Sequence, residues 1–461
     1  MSSVLIKNGT IVTASNEYQA DVYIENGVIA KIGTDLNDAA EKVIDAEGKY
    51  IMPGGVDQHL HFDLKFGDMQ VVGWDTTKAA LAGGTTTVVA FAAQKVGKGI
   101  KESMESYMKS DVDGKVCCDY SLHPVIQDKA FLDDIASLPE IGISTCKMFM
   151  AYKNHPQHSD DDTILKALKI AKDAGVLVML HCENQDMIDA MQKEVLGKGI
   201  TEPYGHILSR PPVVETEATE RAVHFAELTD APVYVAHVTT AGAVDAIREG
   251  YAEGKKIYGE TCTHYLLLTN EVVKAPDFEG AKYVCSPALR DKEDNEVLWD
   301  AVKKGYLNAI SSDHCGFNFA VHKKQGIDDF RNIPNGTPGM ENRLPMVWTE
   351  GVAKGKISRQ KFVELCCTNP AKINGLFPQK GNIGIGADAD IVIYNPVGTS
   401  VVSVKNSLQG LDYNAYEGRE QSGKPETVLL RGKVVVENGK YVGTEGEGRF
   451  VTAKPFGMCY E

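Results

Sequence analysis

No Cys-x-x-Cys spacing occurs among the ten cysteines of this 461-residue chain, which removes the common zinc-ribbon and thiol-redox arrangements. Two pairs are adjacent, Cys117-Cys118 and Cys366-Cys367, and in a chain this long the set reads as reduced core thiols. A basic stripe is also missing. The formal charge is -15 with Lys and Arg scattered, so neither nucleic acid nor an anionic membrane surface is an expected partner. No apolar run is long enough for a bilayer; the longest soft stretch, Ala79 to Ala93, is broken by Gly83-Gly84 and by threonines. The N-terminal MSSVLIKNGTIV has no basic head, continuous apolar segment or small-residue cleavage site, so the expected location is the cytoplasm. Low-complexity linkers and internal repeats are lacking too.

What is present is enough apolar side chain, 43% of the sequence, to bury a large core. Residues 4 to 52 alternate apolar and polar in short runs punctuated by Asn8-Gly9 and Asn26-Gly27, both hairpin signals. The same texture returns in ADIVIYNP and ETVLLRGKVVVENGKYV, with turns at Arg431-Gly432 and Asn438-Gly439. Two β-rich ends flanking a different middle predict one small sandwich built from residues 1-52 and 375-461.

Between them strands and amphipathic helices alternate, the pattern of βα units on a parallel sheet. Eight strands are predicted, at 50-56, 86-92, 118-125, 145-151, 177-181, 233-237, 258-264 and 307-313. The clearest helix follows Ser159-Asp-Asp-Asp, carries Ile164, Leu165, Leu168 and Ala171 on one face, and stops at Gly175. Closed on itself, this gives a (β/α)8 barrel over residues 53-374, somewhat above the usual size of about 250 residues.

Metal-type side chains fall one after another near the ends of these strands: His59 and His61, Lys147, His181, His237 and Asp313. The C-terminal ends of barrel strands face the active site. Side chains at i and i+2 of a strand share a face, so His59 and His61 both reach one ion while Leu60 turns into packing. Four imidazoles and a carboxylate suit zinc or a similar divalent metal rather than magnesium or calcium. Five such ligands are too many for one catalytic zinc and too few for two without a bridge. Lys147 is the candidate bridge, although a bare ammonium cannot ligate a cation, and taken alone it reads as a snorkelling or ion-paired lysine.

STCKMFMAYK at 144-153 resembles the fourth-strand segment of the dihydropyrimidinase and D-hydantoinase family, cyclic amidohydrolases of the amidohydrolase superfamily. PGGVDQHLH at 53-61, LHCEN at 180-184, AHVTT at 236-240 and SSDHC at 311-315 resemble its first, fifth, sixth and eighth strand motifs. SPALR at 286-290 and IPNGTPGMENR at 333-343 resemble its substrate loops, and IGIGADADIVIYNP its return into the sandwich. The resemblance implies that Lys147 is carboxylated, an N6-carboxylysine whose carbamate oxygens bridge two divalent ions, with zinc expected. His59, His61, Lys147 and Asp313 would hold one ion, and Lys147, His181 and His237 the other. A hydroxide between them would attack the ring carbonyl, with Asp313 as general base and then general acid, and Tyr152 steadying the oxyanion. Ser286 and Asn335 match positions that clasp the ring amide through backbone groups.

The implied substrate is a 5,6-dihydropyrimidine or 5-substituted hydantoin, opened to an N-carbamoyl amino acid. Dihydroorotases carry an arginine two residues after the second histidine, where this chain has Asp63. Allantoinases share the metal ligands but lack a tyrosine corresponding to Tyr152. Deaminase relatives work with one metal and no bridging lysine, and the non-catalytic scaffold relatives have lost the metal ligands. FDLKFGDMQ at 62-70 departs from the family's apolar loop through Lys65 and Asp68, and KNHPQHSDDD at 153-162 adds His155 and His158, read as solvated loop residues. His123, His264 and His314 are read as packing or ligand-orienting groups, and His206, His224 and His322 as surface or helix residues. The tail GEGRFVTAKPF, within 445-457, resembles a segment that packs on a neighbouring subunit, which implies a homo-oligomer, by resemblance a tetramer.

Overall fold

The computed structural model describes residues 3-66 and 69-457. The centre is a parallel sheet made from Gly55–His61, Thr85–Ala93, Asp119–Val125, Thr145–Phe149, Leu177–His181, Val233–Val235, Ile257–Cys262 and Ala309–Ser311. These are barrel strands one to eight. After Ala309–Ser311 the chain breaks at Ser312 and Asp313, and His314–Cys315 then pairs parallel to the first strand, joining the last strand to the first in a TIM-like barrel. Asp57 pins this closure: it accepts from the Ser312 N–H at 3.1 Å and lies 3.4 Å from Arg343, a fully buried guanidinium that also donates to the Ile310 carbonyl.

Two expected strands are shorter or split. The segment at 50-56 divides at Gly54: Tyr50–Pro53 pairs antiparallel with Ile391–Val401 outside the barrel, and only Gly55–His61 enters it. A Cβ at Gly54 would lie 2.0 Å from Thr86 Oγ1, so this crossing requires glycine. The seventh strand ends at Cys262, where Thr263–Leu267 turns helical. The helix after residue 159 runs Asp161–Ala174, with Asp160 accepting from the Thr163 N–H as N-cap and Gly175 closing it in the left-handed conformation.

Outside the barrel, a four-stranded sheet from residues 3-45 faces a seven-stranded sheet that joins residues 10-53 to 391-441. Val4, Ile6, Ile24, Ile51, Ile391 and Leu429 form their common core. Asn26-Gly27 makes the expected hairpin turn between Asp21–Glu25 and Val28–Gly33, with both residues at positive φ. Asn8-Gly9 does not. Ser3–Lys7 belongs to one sheet and Thr10–Val12 to the other, so this dipeptide is a crossing point, and a Cβ at Gly9 would meet Ile51 Cδ1 at 2.5 Å.

The tail lies on its own barrel. Arg449 and Val451 exchange backbone hydrogen bonds with Tyr120, and Ala453, Lys454 and Phe456 donate to the carbonyls of Gly142, Gly375 and Gly175. Val451 and Ala453 pack with Val56 and Val89, closing the N-terminal mouth of the barrel. Within one chain this packing engages the tail as far as Ala453 and Phe456, while Thr452 and Lys454 stay exposed. The nine described cysteines are free and buried, Cys459 lying outside the described residues. No helix among the described residues is long and apolar enough to cross a membrane.

Candidate metal centre

Six side chains from five strand ends meet at the C-terminal mouth of the barrel. His59 and His61 alternate in register on the first strand and share a face. Asp313 sits in the break of the last strand, with Oδ1 3.3 Å from His59 Nε2 and 3.3 Å from His61 Nε2. One potential ligand atom from each of these three lies within 4.8 Å of the other two. His181 ends the fifth strand and His237 follows the sixth, with ring centroids 4.6 Å apart; His237 also stands 5.0 Å from His59.

Lys147 is fully buried on the fourth strand, near enough for its charge to act on His59, His181 and His237. Its ammonium lies 5.1 Å from the Phe91 ring and 5.2 Å from Phe149, with no hydrogen-bond partner among the described residues. Burial lowers its pKa to about 8, against the pull of Glu260 and Asp313. Burial drives His59 and His237 well below their ordinary values, and the nearby Lys147 charge acts on both, and on His181, in the same direction. These shifts favour the neutral ring, the form that ligates metal. Burial works to raise Asp313, but His59 and His61 outweigh it and keep the carboxylate ionised.

These residues fit divalent metal, as their unsatisfied atoms show. Lys147 Nζ, His61 Nδ1 and His237 Nδ1 are buried without partners among the described residues, an arrangement that costs free energy unless a ligand completes it. Imidazole nitrogens with a carboxylate are the donor chemistry of zinc-like ions.

Two carboxylates that the sequence reading passed over hold the rings. Glu260, buried on the seventh strand, accepts from His59 Nδ1–H, Gln58 Nε2 at 2.9 Å, and the Ser311 hydroxyl. His59 Nε2 is thereby turned toward Asp313. Glu183 Oε2 lies 2.7 Å from His181 Nε2, and Arg210 holds the same carboxylate at 3.0 Å. Burial opposes ionisation of Glu183, yet Arg210 and His181 hold it below the usual carboxylate range. The signal was available: a charged residue inside an apolar strand, as in YGETC, is stable there only when paired.

Tyr152 lies just past the fourth strand, 5.5 Å from His181 between ring centroids, with its hydroxyl directed at Ser286. Desolvation lifts that hydroxyl to about 12, so it is a donor at neutral pH. Tyr152, His237 and Asp313 all have positive φ, at 61°, 40° and 45°, a conformation costing non-glycine residues about 1 to 3 kcal/mol each and concentrated at functional sites.

Ser286 and Asn335 sit on adjacent loops, tied by the Gly336 N–H donating to the Val284 carbonyl at 3.0 Å. His206 lies in the short helix Tyr204–Leu208, as one of the two expected settings, but it is buried rather than at the surface, and its Nε2 donates to the Cys285 carbonyl at 2.8 Å. His123 is buried between Thr145 Oγ1 and the Gln58 carbonyl, and His314 Nδ1 accepts from the Gly339 N–H; both are structural contacts beside the centre. His155 is exposed, while His158 Nδ1 donates to the Ala151 carbonyl at 3.0 Å, fixing the turn that carries Tyr152. Asp68 lies outside the described residues.

Residues 50-435 match the model of the amidohydrolase family. The chain is 44% identical to a D-hydantoinase of Ralstonia pickettii, over 98% of this chain and 99% of that protein. It is 38% identical to a dihydropyrimidinase of Arabidopsis thaliana, over 99% of this chain and 87% of that protein. The crystal structure of a dihydropyrimidinase from Brevibacillus agri superposes with a TM-score of 0.96 at 44% identity, covering 98% of this chain and 99% of that one.

Proposed function

The chain belongs to the amidohydrolase family, and from that premise we propose a metal-dependent hydrolase that opens the ring amide of 5,6-dihydropyrimidines or 5-substituted hydantoins to N-carbamoyl amino acids. The observation that carries this reading is the convergence of four imidazoles, one ionised aspartate and one buried lysine without a partner among the described residues at a single barrel mouth.

His59, His61 and Asp313 would hold one divalent ion, and His181 and His237 the second. Lys147 would join them as a carbamate: its neutral amine adds to the carbon of carbon dioxide, loses a proton, and gains two oxygens and a negative charge. Burial of Nζ favours the uncharged amine needed for that addition. Zinc is the metal best matched to the donor set, and a bound pair would supply Lewis acidity that activates water at neutral pH.

The remaining chemistry belongs to side chains. Asp313, ionised and placed between two imidazoles, takes a proton from the attacking water and delivers it to the departing ring nitrogen. Tyr152 donates its hydroxyl proton in a hydrogen bond to the carbonyl oxygen as negative charge develops there. Ser286 and Asn335 present backbone groups to the ring amide, and no described residue bonds the backbone of either.

In this reading the chain is a barrel, 53-374, with a sandwich built from 1-52 and 375-461. The two sheets around the shared isoleucine and valine core support that division. A cytoplasmic homo-oligomer, a tetramer by resemblance, completes the proposal. The test is a turnover panel with metal-loaded protein: dihydrouracil, dihydrothymine, hydantoin and phenylhydantoin are expected to open. Exclusive turnover of allantoin or dihydroorotate, or no bound metal, would overturn it.

A further inference from the structure

Lys323 is a fully buried ammonium without a carboxylate partner among the described residues. Its three protons go to three backbone carbonyls: Val284 at 2.9 Å, Pro334 at 2.7 Å and Gly336 at 2.7 Å. Two of these flank Asn335 directly, and the third lies two residues before Ser286. A charge this deep is costly to desolvate, and three charge-assisted hydrogen bonds offset that cost only while both loops keep their present geometry. Burial pulls the Lys323 pKa down to about 7, and carbonyl acceptors favour its charged form.

The pattern of occupied carbonyls is selective. Val284 is held by Lys323 and the Gly336 N–H, Cys285 by His206, and Pro287 by the Tyr265 hydroxyl at 2.7 Å. On the facing loop Pro334 and Gly336 are held by Lys323, and Thr337 by the Cys315 N–H. Ser286 and Asn335 are left between them. Gly336 adopts φ 148°, where a Cβ would come within 2.6 Å of Cys315, so that loop has little freedom to adjust on its own.

Resting on the hydrolase reading above, we propose that Lys323 is the positioning residue that locks the 284-287 and 334-337 loops together so that the backbones of Ser286 and Asn335 face the same cyclic amide. It touches neither the metal ligands nor the substrate, and it sets ground-state binding through preorganised backbone rather than through chemistry.

Lys323→Met removes the donors with little change of length, and Lys323→Gln keeps two N–H donors for three acceptors. Both are compared with the unmodified enzyme, and with Lys324→Met as an exposed control, by steady-state turnover of dihydrouracil and hydantoin, metal content and amide exchange. The expected result for Lys323→Met is a KM raised about tenfold or more, kcat within about threefold, metals retained, and faster exchange at Gly336. Lys323→Gln should fall between. An unchanged KM, or parallel losses of kcat and metal with KM unmoved, would overturn the assignment. If neither variant folds, exchange in the unmodified protein decides: a freely exchanging Gly336 amide means that the loops are not locked. Failure of the hydrolase reading shows differently, as an unmodified protein that opens none of the panel.

Discussion

Glu183 Oε2 stands 2.7 Å from His181 Nε2, so the imidazole proposed as a ligand of the second ion is oriented by a carboxylate two residues further along the same chain. Arg210 neutralises that carboxylate from the other side. Glu183→Gln should weaken metal binding by about 10- to 100-fold, the range found when groups orienting a ligand are lost, as read by competition with a chelator. The acid limb should change too. Glu183 has a lowered pKa in the folded chain, so its contribution to stability is present above its unfolded value of about 4.3 and is lost as pH falls through the folded value. Tm measured against pH should therefore fall less steeply on the acid side in the variant. An unaltered Tm profile with unaltered metal affinity would leave the contact without consequence.

Lys147→Ala deletes the proposed bridge. The variant should lose most metal and activity while remaining folded, and short carboxylic acids added to the buffer should restore part of both. Two bound metals and full activity without any additive would dispose of the carbamate.

Tyr152→Phe separates binding from chemistry. The ring packing on His181 stays, so metal content should be unchanged, while kcat falls by about 100-fold or more, the usual effect of losing one oxyanion donor. A change confined to KM would make the hydroxyl a binding group.

Asp313→Asn keeps shape and one oxygen but removes the base. Activity should drop much further than metal content, and the variant should show no recovery at raised metal concentration. Small and equal losses would make Asp313 only a structural ligand.

The grouping of side chains was legible because strand ends in a parallel barrel converge, so His59, His61, His181 and Asp313 needed only the right strand count to meet. Period-two alternation within the first strand was enough to put both of its histidines on one face. The connections between sheets were less legible. Asn8-Gly9 has the chemistry of a hairpin turn, but local propensity does not say whether the two strands it joins pair with each other, and here tertiary packing on Ile51 separates them. The split at Gly54 is of the same kind, since an apolar run continues through it and only the Thr86 contact marks the crossing. His206 and Lys323 escaped because a polar residue in a short helical segment looks like surface, and their carbonyl partners lie far away in sequence. Glu260 and Glu183 are not marked as site residues by sequence because each aims a ligand from the strand interior or the following loop rather than touching an ion.

Substituent preference follows from what lines the approach to the centre. Phe62, the obvious aromatic for a hydrophobic wall, is fully buried, 4.7 Å from Trp74 and 6.0 Å from His314 between ring centroids. Leu64 packs with Val71 and Phe317. Both are committed to the loop's own core. In sequence the same two loops carry Lys65, Asp68, His155 and His158, and a phenyl group placed against charged or polar side chains would strip their hydration without replacing it. His158 already spends its Nδ1 proton on the Ala151 carbonyl, which leaves Lys65 as the position to test. The enzyme should therefore open dihydrouracil with a kcat/KM at least equal to that for 5-phenylhydantoin, and Lys65→Met should move the ratio toward the phenyl substrate. A preference for 5-phenylhydantoin of about a hundredfold in the unmodified enzyme, unchanged by Lys65→Met, would mean that these polar groups face solvent and that an apolar surface elsewhere receives the ring substituent.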